Sequence, residues 1–153
     1  VLEDNPNIFL NGYMDLVLYD EQDDKYTIYD IKTSTRGWQD KEKKDQIKLN
    51  QILLYKRFYS KGLGVPEEKV DVKFFIVKRK VFSSPDFPVH RVQEFVPANG
   101  KKKVESAYQD LSKFIRECFT PEAKHNTERE YPKNLDACKW CQYKDRPDLC
   151  SRK

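Results

Sequence analysis

Two stretches near the N-terminus have the side-chain pattern of β-strands. Residues 8–20 are rich in β-branched and aromatic side chains, and residues 25–33 alternate between apolar and polar ones. Because the polar residues 21–24 lie between them, the pattern predicts a β-hairpin. Two further stretches, residues 70–82 and 91–96, predict a third and a fourth strand.

Two other stretches place apolar residues at helical spacing. No Gly or Pro interrupts residues 41–61, and Gly62 and Gly64 end this first predicted helix. The second predicted helix covers residues 102–119 and is followed by Pro121. The expected stripes are Ile47, Gln51, Leu54, Tyr55 and Phe58 in the first helix, and Val104, Tyr108, Leu111 and Ile115 in the second. The order of elements predicts an α/β fold, a small mixed sheet flanked by two helices.

Length and composition indicate one folded unit. The chain has 153 residues, and its 9 Phe, 9 Tyr and 2 Trp supply the apolar area that disordered chains lack. We divide it into a core at residues 1–119 and a Cys-rich C-terminal segment at residues 120–153. No apolar run reaches the roughly 20 residues that cross a bilayer, and the first residues do not begin a signal peptide. We therefore expect a cytoplasmic protein with no membrane partner.

Charge is unevenly distributed along the chain. Residues 1–30 carry a net charge of −7, so residues 31–153 carry +11 of the total of +4. The basic part of the chain contains clusters of Lys and Arg, and such clusters can bind phosphates. The alternative is that they are ordinary solvated surface. The candidate contacts with nucleic acid are Lys44, Lys48, Lys78, Arg79 and Lys80.

The register of the predicted hairpin brings two acidic residues together. If the hairpin closes symmetrically, residues whose numbers sum to 45 are paired, so Tyr19 faces Tyr26 and Asp15 faces Asp30. Opposed like charges destabilise a sheet unless something positive lies between them. Lys32 lies on the same strand face as Asp30, and a divalent cation would hold both carboxylates. The alternatives are a slipped register, or neutralisation of the pair by Lys32 alone.

Three short motifs follow one another on these elements: Gly12-x-x-Asp15, Asp30-Ile31-Lys32-Thr33 and Gln51-x-x-x-Tyr55. In this order they resemble the motifs of the PD-(D/E)XK nuclease superfamily, in its RecB-like branch. That branch includes recombination nucleases, phage exonucleases and CRISPR adaptation nucleases. The resemblance implies a restriction-endonuclease-like core, a bacterial or phage context, and a helicase or recombination protein as a partner.

The resemblance also implies residue roles. Asp15 and Asp30 would bind Mg²⁺ or Mn²⁺ together with the main-chain carbonyl of Ile31, and Lys32 would orient or help to deprotonate the attacking water. Two residues of the first predicted helix, Gln51 and Tyr55, would steady the active site or the scissile strand. The implied activity is metal-dependent hydrolysis of DNA, by an exonuclease that acts on ends or single strands.

One part of the family pattern is missing from this sequence. Members have a helix before the first motif strand that often supplies an acidic residue or a His, and no such helix is visible here. His90 and His125 lie elsewhere in the chain, and Glu3 is a poor substitute. Because the chain begins at Val1 rather than Met, an upstream segment is expected. The alternative function is a catalytically incomplete nuclease-like module that binds nucleic acid within a larger DNA-processing complex.

The C-terminal segment contains the motif Cys138-x2-Cys141-x8-Cys150, and Cys118 lies in the preceding predicted helix. Four thiols in a chain without an export signal favour metal binding over disulfides. Several RecB-like nucleases hold an iron-sulfur cluster through one upstream Cys and three clustered ones, and this segment resembles those three. The fourth ligand would be Cys118, His125 or an upstream residue. A [4Fe-4S] cluster takes four Cys, Zn²⁺ accepts Cys₃His, and the remaining alternative is a metal-free loop.

Overall fold

A four-stranded mixed sheet forms the base of the fold. The structure is a computed structural model that describes residues 5–81, 90–131, 135–146 and 148. The strands lie in the order β1-β2-β3-β4, with antiparallel pairs at both edges and a parallel pair, β2 and β3, in the centre. Their bounds are Leu16–Asp20, Lys25–Ser34, Val70–Lys78 and Val92–Phe95. The predicted mixed sheet is confirmed.

The helices lie between and after the strands. They are α1 at Asp40–Lys43, α2 at Gln46–Leu63 and α3 at Lys101–Cys118, with 3₁₀ helices at Glu67–Lys69 and Leu135–Trp140. Neither of the 18-residue helices in the described part of the chain has the apolar length that a bilayer crossing requires.

The first predicted helix is divided in the structure. Asp45 is the N-cap of α2, because its carboxylate accepts hydrogen bonds from the main-chain N–H groups of Ile47 and Lys48. A side chain that caps a helix start ends the preceding helical turn, so α1 is separate from α2. At the other end, Gly64 adopts a left-handed conformation with φ of 67°, which glycine accommodates without steric cost.

The core lies between α2 and the sheet. Even-numbered residues of β2 and β3 point to this side, in keeping with the strand period of two. The buried cluster comprises Ile28, Trp38, Ile52, Val70, Val72, Phe74 and Ile76. Helix α3 packs on α2 through a second cluster, formed by Leu53, Val104 and Ala107.

The predicted stripe of the first helix is only partly buried, since Leu54, Tyr55 and Phe58 are half-buried and Gln51 is exposed. Ile47 is 84% exposed, whereas Ile52, Leu53 and Lys56 are buried. The buried face is therefore rotated from the one that the apolar spacing indicated, because α2 is covered by β2 and β3 on one side and by α3 on another. Lys56 belongs to this face because its ammonium donates to the main-chain oxygen and to Oδ1 of Asn99, at 3.0 and 2.9 Å.

Two strand bounds differ from the prediction by several residues, and the bounds of the second and fourth strands differ by one residue. The first strand begins at Leu16 rather than at residue 8, and the preceding segment lies beside α2, where Leu10 and Met14 line a cavity with helix residues. The third strand ends at Lys78. The predicted end of that strand, Phe82, lies outside the described residues.

Candidate active site

The predicted register of the β1–β2 hairpin is confirmed. Tyr19 pairs with Tyr26, and the ladder continues to the pair formed by Leu16 and Tyr29. Each pair has residue numbers that sum to 45, so the tight turn and the apolar pattern together fix the alignment.

Asp15 lies one residue beyond this ladder and does not form the cross-strand pair with Asp30 that we predicted. Its carboxylate turns onto the other strand instead, where Oδ2 accepts a hydrogen bond of 2.7 Å from the main-chain N–H of Ile31. The side chain thus takes the place of the next main-chain acceptor of the ladder. This hydrogen bond holds an exposed carboxylate next to the peptide that joins Asp30 to Ile31.

Asp30 is buried on the core side of β2, with 3% of its surface exposed. Burial raises the pKa of its carboxyl group, the ammonium of Lys32 opposes that shift, and the charge of Asp15 adds to it. The Nζ atom of Lys32 lies 2.8 Å from Oδ2 of Asp30. At that distance the two form a close ion pair, in which the ammonium of Lys32 is the positive partner of the buried oxygen. The charge of Lys32 therefore offsets part of the cost of burying the carboxylate of Asp30.

Helix α2 completes the cluster through two polar side chains. Nζ of Lys32 donates to Oε1 of Gln51 at 3.5 Å, and Nε2 of Gln51 donates to the hydroxyl oxygen of Tyr55 at 3.0 Å. Gln51 and Tyr55 are four residues apart, so they share one side of the helix. The contacts form a continuous chain from the buried carboxylate of Asp30 to the phenol of Tyr55.

Gly12 allows the segment before β1 to approach this helix. A Cβ atom at Gly12 would lie 2.8 Å from Cε1 of Tyr55, closer than real Cβ contacts allow. The sequence motif includes Gly12, but spacing alone gave no reason for a glycine at that position. The structure supplies the reason, since any side chain there would displace the Tyr55 ring.

The residues present fit a divalent cation. The carboxylates of Asp15 and Asp30 and the carbonyl of Ile31 are oxygen donors, which Mg²⁺ and Mn²⁺ prefer. The buried Oδ2 of Asp30 already lies 2.8 Å from the ammonium of Lys32, so this acceptor accommodates a positive partner. Within the described ranges, no group of three or more His, Cys, Asp and Glu side chains is gathered. Among the described residues, the acidic side chains of this cluster are therefore the two carboxylates of Asp15 and Asp30. Glu3 lies outside the described residues.

Part of the predicted phosphate-binding surface lies near this cluster. Lys78 ends β3 opposite Ser34, two positions beyond the pairing of Lys32. The main-chain N–H of Lys80 donates to the carbonyl of Thr35, so the basic run continues along the end of β2. Lys80 is exposed. The basic run therefore follows the same end of the parallel strand pair as Lys32.

The other predicted basic residues have local roles. Nζ of Lys48 lies 2.6 Å from Oδ2 of Asp45 and 5.5 Å from the centre of the Trp38 ring. Arg79 donates from Nη2 to the hydroxyl oxygen of Thr35 at 2.9 Å. Lys44 is the C-cap residue of α1 and is exposed. Their contacts with nucleic acid remain predictions.

The predicted metal site of the C-terminal segment is only partly described. Cys138 lies in the 3₁₀ helix, and the main-chain N–H of Cys141 donates to its carbonyl at 3.2 Å. Cys150 lies outside the described residues. Cys118 is the last residue of α3. The ring of His125 stacks on that of Tyr131, with 5.3 Å between the ring centres. The ligand set of this segment therefore remains a prediction.

Comparison with known families accounts for nearly the whole chain. The family model for the PD-(D/E)XK nuclease superfamily matches residues 2–146. No curated protein and no solved structure matches the chain. The matched range includes all four strands, the three helices and each member of the polar cluster.

Proposed function

The chain belongs to the PD-(D/E)XK nuclease superfamily, and from that premise we propose that it is a divalent-metal-dependent deoxyribonuclease. Asp15 and Asp30 hold the cation, and Lys32 acts at the scissile phosphate. The single observation that carries this proposal is the ion pair of 2.8 Å between Lys32 and the buried carboxylate of Asp30. Family membership makes nuclease activity the expected function, and this pair supports an intact site.

The two acidic residues of the site, Asp15 and Asp30, differ in burial and in how they are held. Asp30 is buried and fixed in the strand, whereas Asp15 is exposed and held through the N–H of Ile31. A bound Mg²⁺ or Mn²⁺ lowers the pKa of its water ligand and stabilises the charge that develops on phosphate. Both carboxylates would bind the cation, and the buried carboxylate of Asp30 would fix the position of the site in the sheet.

Lys32 supplies positive charge and proton donors beside these carboxylates. Its ammonium lies between Asp30 and Gln51, so two acceptors define its position. A preorganised cation next to a phosphate stabilises the negative charge of the transition state without a cost of reorganisation. The hydrogen bond from Gln51 to Tyr55 fixes which end of the Gln51 amide faces Lys32.

We propose action at DNA ends, which the resemblance to RecB-like exonucleases supports.

The second candidate function is a nucleic-acid-binding module without catalysis. It is favoured by one observation, since the described residues gather no third acidic or His side chain at the cluster. The presence of DNA cleavage separates the two functions.

The test is cleavage of linear duplex and single-stranded DNA by wild type and by Asp30→Asn, with Mg²⁺ or Mn²⁺ and with EDTA. We expect the variant to lose activity by a hundredfold or more, on the order of what removal of one key charge-stabilising group costs. Asp23→Asn is the matched control, because Asp23 is an exposed acid in the turn of the same hairpin. Equal cleavage by wild type and Asp30→Asn would contradict the proposed site.

A further inference from the structure

An apolar cavity opens directly beside the polar cluster. Its volume is about 440 Å³, within the range of roughly 300–1,000 Å³ that is usual for sites of small organic groups. The segment before β1 forms one wall and α2 forms the other. The wall of α2 supplies the rings of Tyr55, Phe58 and Tyr59, and the segment before β1 supplies Leu10 and Met14.

The cavity and the proposed active site share two residues. Gln51 and Tyr55 line the cavity, and Gln51 also accepts the hydrogen bond from Lys32. Lys32 in turn lies 2.8 Å from Asp30. Three successive polar contacts therefore lead from the cavity wall to the buried carboxylate, and a group bound in the cavity would adjoin the scissile phosphate.

The chemistry of the wall selects one part of a nucleotide. None of the residues that line the cavity carries a charge, so a phosphate placed inside would lose its hydration without compensation. A nucleobase is planar and largely apolar on its faces, and it stacks well on aromatic side chains. The amides of Asn11 and Gln51 lie at the wall and can address the polar edge of a base.

We propose that this cavity holds an unpaired nucleobase of the DNA strand whose phosphate lies at Asp15, Asp30 and Lys32. The inference rests on the proposed function and names its substrate class. A base inside a duplex is stacked and paired, so it enters such a cavity only after it leaves the helix. The enzyme therefore prefers single strands and frayed ends over intact duplex.

Gly62 provides a way to fill the cavity without disturbing the fold. It lines the cavity near the end of α2, and a Cβ atom there meets nothing within 4 Å. Gly62→Leu should therefore occupy the space meant for the base, and it replaces a poor helix former by a good one. Gly100→Leu is the matched control, because Gly100 also has open space around its Cβ position and is not among the cavity residues.

The experiment measures binding of single-stranded oligonucleotides to the full chain in EDTA, so that no cleavage occurs. One set carries natural bases, and a second set carries a single abasic sugar at each of the terminal positions in turn. For wild type and Gly100→Leu, we expect one abasic position to weaken binding by about tenfold, the order of one base stacked on aromatic residues. For Gly62→Leu, the affinity for the natural strand should be lower than that of wild type, and an abasic sugar at the same position should not lower the affinity further.

Two results would overturn the inference. One is an abasic series that binds wild type no more weakly than the natural strand, which would leave the cavity to an apolar protein segment. The other is a Gly62→Leu variant that still loses affinity at the abasic position. Folding of each variant is checked by circular dichroism and thermal unfolding.

The outcome is independent of the cleavage test. A protein that cleaves DNA but ignores the abasic sugar keeps the proposed function and loses the base-binding cavity. A protein that senses the abasic sugar but cleaves no DNA keeps the cavity and becomes a binding module.

Discussion

Gly12 lies against the ring of Tyr55, so closely that a Cβ atom on Gly12 would approach Cε1 of the ring to 2.8 Å. The requirement for glycine is thus one of space and not of backbone conformation, since Gly12 is not among the described glycines with positive φ. The contact joins the segment that leads into Asp15 to the helix that carries Gln51. It fixes the distance between two elements of the proposed active site.

We predict that Gly12→Ala reduces DNA cleavage by roughly ten- to a hundredfold, the loss expected when a catalytic group shifts by about 1 Å. The added methyl group must displace Tyr55 or the segment before Asp15, and either shift disturbs the hydrogen bond from Gln51. Steady-state cleavage assays and a melting curve test this. Gly100→Ala, placed in open space, is the control. Full activity in Gly12→Ala would show that the Tyr55 contact has no catalytic role.

The buried carboxylate predicts a pH-dependent cost in stability. Burial raises the pKa of Asp30 above its value in the unfolded chain, so its ionised form opposes folding at neutral pH. This cost is fully present above the raised folded-state pKa, and it is relieved as the pH falls from there toward the unfolded-state pKa. Asp30→Asn removes it, so we expect a Tm about 1–4 °C above wild type at neutral pH.

The difference in Tm should shrink as the pH of the melting experiment is lowered toward the unfolded-state pKa of Asp30, because a growing fraction of wild-type Asp30 is then protonated. Asp23→Asn, in the exposed turn, is the control and should follow wild type at each pH. A variant that melts well below wild type at neutral pH would mean that the pair with Lys32 stabilises the fold more than burial of the charge opposes it.

DNA binding should depend on salt through the basic run at the end of β3. If Lys78 and Lys80 each contact one phosphate, as we predict, then Lys78→Gln and Lys80→Gln should each lower the slope of log affinity against log salt by about 0.7 for single strands. Titrations at several salt concentrations measure that slope. Asp30→Asn should still bind DNA, because phosphate contacts and not the acidic site supply this affinity. A change at Lys113, exposed on α3, should leave the slope unaltered.

The C-terminal segment is predicted to bind one metal centre through Cys138, Cys141 and Cys150. The segment has few aliphatic side chains with which to order itself, and a metal would supply the cross-link. Cys141→Ser should therefore lower thermal stability and resistance to proteolysis more than it lowers the rate of cleavage. Cys118→Ser tests the fourth ligand, because it should reproduce the effect only if Cys118 binds the metal.

Elemental analysis distinguishes the two candidate metals. Protein purified without oxygen should be brown if it carries an iron-sulfur cluster and colourless if it carries Zn²⁺. Protein that contains neither metal, together with an unchanged Tm in Cys141→Ser, would identify the segment as a metal-free loop.

Local rules in the sequence determined the hairpin, its register and the order of the motif elements. A short polar turn between two strands allows few alignments, and a slip of one residue would turn Ile28 from the core to solvent. The spacing of Gln51 and Tyr55 likewise places both on one helix side, whatever surrounds the helix. These features depend on neighbouring residues, so the sequence was sufficient to predict them.

Tertiary structure alone decided which side of α2 is buried and what each acid contacts. Ile47 has an apolar side chain yet is 84% exposed, while Lys56 is buried because a distant loop supplies Asn99 as its acceptor. Asp15 meets the N–H of Ile31 instead of pairing with Asp30, because the ladder begins only at the next residue, Leu16. Periodicity was sufficient for the buried stripe of α3, where Val104, Tyr108 and Ile115 are all buried, but the burial of α2 and the partners of its polar groups depend on segments far apart in sequence.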